Sequence, residues 1–104
     1  ESLEKVSRVL VHELAHVFAQ RYLSKALRDE WLTLRGLSPD TRWFMRKDEK
    51  NDYRTAHGDF AECVVYAFQG PLQEFKSKLG PPPNAAQQAL IRKWVEELPK
   101  TAGE

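Results

Sequence analysis

Hydrophobic and polar positions alternate along this chain at helical spacing in successive stretches, and no stretch keeps the two-residue period of a half-buried strand. From Val9 to Ala19 the chain reads Val-Leu-Val-His-Glu-Leu-Ala-His-Val-Phe-Ala, and His12, Glu13 and His16 are the only polar side chains in that run. Such a pattern predicts a buried helix, starting near Ser2 with Glu4 in its first turn and reaching about Leu23. A second helix is expected from a Ser24 cap to about Arg35, with Leu27, Trp31 and Leu34 on one face and Gly36 as a left-handed stop. Residues 37–56 keep no period: Ser38-Pro39-Asp40, Trp43 and Phe44 are followed by a polar run from Arg46 to Asp52, which reads as a long loop. Helix returns from Asp59 to Gln69 and ends at Gly70-Pro71; Leu72, Phe75 and Leu79 then predict a short amphipathic helix closing at Gly80. Pro81-Pro82-Pro83 is a polyproline spacer. Asn84 with Gln87 resembles a capping box opening a last helix to about Leu98, with Leu90, Ile91, Trp94, Val95 and Leu98 inward and Pro99 ending it. The expected fold is mainly α, any sheet being short or missing.

A chain of 104 residues supports one domain with one core. Sixteen Lys and Arg stand against fifteen Asp and Glu, so no strong field argues for nucleic acid or an anionic membrane as partner. The single cysteine, Cys63, cannot form an internal disulfide, and no signal peptide or membrane span is visible. A start at Glu1 close to the first helix suggests a domain excised from a longer chain with neighbouring domains. Trp31, Trp43 and Trp94 are expected in or against the core. The basic residues of the loop are interrupted by Asp48, Glu49 and Asp52, as on a solvated surface.

The polar positions of the first helix carry the candidate chemistry. At about 100° per residue, His16 lies one turn beyond His12 and about 40° around the axis, so both imidazoles can converge on one tetrahedral Zn²⁺, with Glu13 beside the site. A catalytic zinc takes three protein ligands and keeps one open position. The third ligand is expected from Gly58-Asp59-Phe60-Ala61-Glu62, where Asp59 binds the metal and Glu62, one turn on, orients a liganding histidine; the two roles can be exchanged. His57 and Cys63 are also chemically competent ligands.

The pairing of His-Glu-Leu-Ala-His with a downstream Gly-Asp-Phe-Ala-Glu resembles the zincin metallopeptidases, especially small bacterial and phage-type domains. The shared pieces are His12 to His16, Trp31 with Arg35-Gly36-Leu37, Trp43, and Asp52-Tyr53 through Glu62. The resemblance implies a minimal zincin-like domain built from an active-site helix and a third-ligand helix, acting on a protein or peptide substrate. A metal-activated water would attack the peptide carbonyl with Glu13 as general base, and Tyr53, or failing it His57, would stabilise the oxyanion. In the gluzincin branch the third ligand is typically a Glu followed four residues later by a second acid, whereas position 58, four before Glu62, is glycine. Two other readings compete: a structural zinc with four protein ligands in a helical interaction module, and a metal-free binding unit derived from a metallopeptidase.

Overall fold

A computed structural model describes residues 3–71 and 74–102, which form four helices: α1 (Leu3–Tyr22), α2 (Lys25–Arg35), α3 (Ala56–Gln69) and α4 (Ala85–Ala102). The fold is mainly α, with no strand among the described residues, and none of their helices is long and apolar enough to cross a membrane. Local signals set most helix ends. The Ser24 hydroxyl accepts the Leu27 N–H at 3.3 Å to open α2. Gly36 closes it at φ 73°, letting the N–H groups of Gly36 and Leu37 reach the Thr33 and Leu32 carbonyls at 3.0 and 2.8 Å. At the start of α4, Asn84 and Gln87 exchange backbone-to-side-chain bonds of 2.9 Å each way.

Elsewhere the structure departs from the sequence expectation for identifiable reasons. α3 begins at Ala56 rather than Asp59, because the Thr55 hydroxyl accepts the Gly58 N–H at 3.1 Å and caps the helix earlier. The short helix expected around Leu72, Phe75 and Leu79 is not formed over residues 74–80: the N–H groups of Lys76 and Lys78 donate to Glu62 Oε1 (2.8 Å) and to the Tyr53 carbonyl (2.7 Å), not back along a helix. Leu72 itself, like the expected cap Ser2, lies outside the described residues. Pro99 sits inside α4 instead of ending it. It removes one N–H near the end of the helix, and the Thr101 hydroxyl donates to the Glu97 carbonyl at 3.2 Å in the same turn.

The core forms where α1, α2 and α4 meet α3. Trp31, Phe60, Ile91 and Trp94 fill it with Ala15, Ala19 and Leu23, the Trp31 ring standing edge-on to Phe60 at 5.4 Å. Trp43 packs against this cluster from the loop. α3 is buried at every position from Ala56 to Val65, so the polar groups it carries need partners inside the protein. α1 is less enclosed than its apolar run implies. His12, Ala15 and Ala19 are buried, while Val6, Leu10, Leu14 and Val17 form an exposed stripe on the opposite side.

Candidate metal centre

The helical spacing of His12 and His16 puts their Nε2 atoms 3.0 Å apart on the α3-facing side of α1. A third donor reaches them from the loop between α2 and α3: Asp52 Oδ2 lies 2.5 Å from His16 Nε2 and 3.5 Å from His12 Nε2. Three donors sharing one ion at about 2.0–2.1 Å in a tetrahedral arrangement stand about 3.3 Å from one another; two nitrogens and one carboxylate oxygen suit Zn²⁺ in chemistry, and this group could hold an ion if Asp52 Oδ2 drew back from His16 by somewhat under about 1 Å.

Asp52 is fixed by the residues that start α3. Its carbonyl accepts both the Thr55 hydroxyl (2.8 Å) and the Thr55 N–H (3.0 Å), while the same hydroxyl caps α3. Gly58 makes the approach possible. A Cβ at that position would lie 2.6 Å from the Asp52 carbonyl carbon and 2.8 Å from its Cγ, so the Asp52 segment occupies the space into which a side chain at position 58 would project. The rest of the loop is held by Ala56 and His57 N–H groups donating to the Arg42 and Trp43 carbonyls at 2.8 and 3.0 Å, and by a two-pronged Arg42–Glu49 ion pair.

Behind the cluster, Glu62 Oε2 bonds His12 Nδ1 at 2.7 Å, which holds a proton on Nδ1 and directs Nε2 toward Asp52 and His16. Glu62 Oε1 accepts from Arg8 Nη2 at 2.5 Å and from the Lys76 N–H at 2.8 Å. Burial opposes charge on His12, but hydrogen bonds and attraction from Asp52 and Glu62 outweigh it and bring the imidazole up to about 9. Burial opposes charge on both carboxylates as well, but His12 and His16 at Asp52, and His12, the Lys76 N–H and Arg8 at Glu62, overcome it and hold them below the ordinary range. His57 is not part of the cluster. Its ring meets His16 edge-on at 4.1 Å and its Nε2 is 3.3 Å from the His16 carbonyl, a geometry in which the neutral ring donates its proton. Burial and the nearby His16 charge push it down to about 4.

A cleft of about 350 Å³ opens onto the cluster, walled by His12, Asp52, Glu13, Tyr53, Arg8 and Lys76 among others. Glu13 is exposed on it, next to the histidines in sequence but outside the donor set. A second cavity, about 340 Å³ and mainly apolar, lies along Arg8 and Glu62 but is not lined by the histidines.

Asp59, the expected third ligand, is engaged elsewhere. It is fully buried and clamped by Arg35, whose Nε and Nη2 donate to its two oxygens at 2.9 and 2.6 Å, with Trp31 Nε1 at 3.3 Å and the Ser77 hydroxyl at 2.7 Å. With a bidentate guanidinium and two further donors, this carboxylate is a structural partner of α2, and the carboxylate beside the histidines is Asp52. Cys63 is also removed from the site: it is buried in the core, where lack of solvation pushes its thiol well up. Comparison with protein-family models, with curated proteins and with solved structures returns no match to this chain.

Proposed function

We propose that this chain is a zinc-dependent peptidase domain in which His12, His16 and Asp52 hold the ion and Glu13 is the general base. The observation that carries the reading is the meeting of two Nε2 atoms and one carboxylate oxygen beside an open cleft that His12, Asp52 and Glu13 line. Zinc in such a setting supplies Lewis acidity, polarising a carbonyl and acidifying water. The chain's own groups do the remaining work. Glu62 fixes the His12 tautomer, Arg8 balances the charge of Glu62, and Glu13 stands on the cleft to take a proton from the attacking water and return it to the leaving amine. Tyr53, on the same wall, is the candidate donor to the developing oxyanion. The choice of peptide bonds as substrate rests on the His-Glu-Leu-Ala-His pattern and its zincin resemblance.

A structural zinc with four protein ligands is the weaker reading. Cys63 and Asp59 are engaged away from the cluster and His57 Nε2 is turned to the His16 carbonyl, which leaves the three-donor group of His12, His16 and Asp52 among the described residues. Elemental analysis of protein purified without a histidine tag tests the proposal, together with peptide hydrolysis by the parent and by Glu13→Gln. One equivalent of zinc in both, with hydrolysis only in the parent, is expected. Absence of zinc even after titration would end the peptidase reading.

A further inference from the structure

One cation lining the cleft beside the histidines makes no ion pair with any described residue. Lys76 lines it with Glu13, Asp52 and Tyr53, its Nζ lies 5.9 Å from the centre of the Tyr53 ring, and no carboxylate among the described residues is within ion-pair distance of it. The other cation on the wall differs: Arg8 is paired with Glu62 and also faces the Glu74 carbonyl at 3.5 Å. The Lys76 backbone is fixed from both sides, by its own N–H on Glu62 and by the Lys78 N–H on the Tyr53 carbonyl. Its ammonium is thus delivered to the cleft from the segment that also braces the carboxylate behind His12.

The charge balance then points to the substrate. With a divalent ion in place, Asp52 and Glu13 offset its two charges and Arg8 offsets Glu62, which leaves Lys76 as the surplus cation in a partly enclosed cleft. A carboxylate entering beside the reacting bond would neutralise it, and a second cation would be repelled.

Resting on the zinc peptidase reading, we propose that the cleft selects peptides bearing a carboxylate close to the bond to be cut, with Lys76 as the residue that recognises it. The carboxylate can belong to an acidic side chain or to a chain terminus. Zinc-loaded protein with Glu13 retained, its metal content first checked by elemental analysis, is titrated calorimetrically with three matched hexapeptides whose N-methylated amides resist hydrolysis. One is neutral with an amidated end, one carries Glu for Gln and an amidated end, and one is neutral with a free terminus. At least one of the two carboxylate peptides should bind up to about tenfold more tightly than the neutral one at low salt, equivalent to about 1.4 kcal/mol, and the difference should shrink as salt is added. Tighter binding of the second peptide identifies an acidic side chain as the ligand, and of the third a chain terminus. The preference should vanish in the Lys76→Met form and turn toward a Lys-containing peptide in the Lys76→Glu form, with zinc content and helical circular dichroism unchanged. Equal affinity for all three peptides, or a preference that survives Lys76→Met, overturns the inference while leaving the zinc reading intact. Failure of the protein to load zinc overturns both.

Discussion

Replacing Gly58 by alanine sets two forces against each other, and the geometry decides between them. By helix propensity alone the change should stabilise α3 by about 1 kcal/mol. The added Cβ, however, would overlap the Asp52 carbonyl oxygen and stand 2.6 Å from the carbonyl carbon and 2.8 Å from Cγ, at least about 1 Å inside comfortable separation. Since the obstacle is mainly backbone, the Asp52 segment must retreat by about that distance, at an overpacking cost of about 1–3 kcal/mol. The net loss of stability is therefore modest, from about zero to 2 kcal/mol. The effect on metal should be far larger, because donor positions tolerate only about 0.2 Å. If Asp52 holds the ion as proposed, its retreat would remove a ligand, and zinc affinity should fall by at least about 100-fold, beyond the range seen on loss of an orienting neighbour. Competition with a chromophoric chelator measures the affinity, and urea unfolding of the metal-free proteins measures the stability. Gly36→Ala is the control: nothing lies within 4 Å of its new Cβ, but φ is +73°, so stability should drop with zinc affinity unchanged. If Gly58→Ala binds zinc as tightly as the parent, the assignment of Asp52 as a ligand is refuted.

Other substitutions separate the two carboxylates of α3. Asp59→Ala strands the buried Arg35 guanidinium and should destabilise the fold by about 3–5 kcal/mol, read by urea unfolding, while the surviving folded fraction still binds zinc. Glu62→Gln should lower zinc affinity by about 10–100-fold in the chelator assay, through loss of the charged partner of His12. The metal-free protein should have a stability optimum near pH 6 to 7 in thermal melts. His12, raised to about 9, contributes fully below its unfolded value near 6.5, and that contribution is lost as pH climbs through 9. His57, lowered to about 4, acts in the opposite sense: its contribution is present above 6.5 and is lost as pH falls toward 4.

Much of the architecture was legible because it is written in local signals. Ser24, Gly36 and the Asn84–Gln87 pair each satisfy helix-end groups within a few residues, and those ends lie where the sequence puts them. Long-range partnerships were less legible. Two acids one turn apart on α3 look alike in sequence, yet Asp59 faces Arg35 while Glu62 faces His12, a division set by where α2 packs. Asp52 was hidden among the acids of an irregular run, since loop residues have no period from which to infer a facing side. The available signal was Gly58: the absence of a side chain four residues before Glu62 marks a place where another part of the chain comes close. Likewise the backbone of residues 74–79 pairs with groups distant in sequence, which overrode an amphipathic pattern that looked helical.

The Arg35–Asp59 clamp has a consequence for how the molecule opens. It joins α2 to α3 directly, reaches Ser77 through Asp59, and reaches α4 through the 3.2 Å bond from Arg35 to Gln87. No one of these parts can swing away without breaking bonds to a buried charge, so their amides should exchange with solvent only in the global unfolding event. Asp52 is carried instead by irregular backbone, pinned at Thr55 and at the Arg42 and Trp43 carbonyls and lacking such a clamp. Its surroundings should exchange through smaller openings, giving the cleft one wall that can part on a faster timescale while the helical frame stays closed.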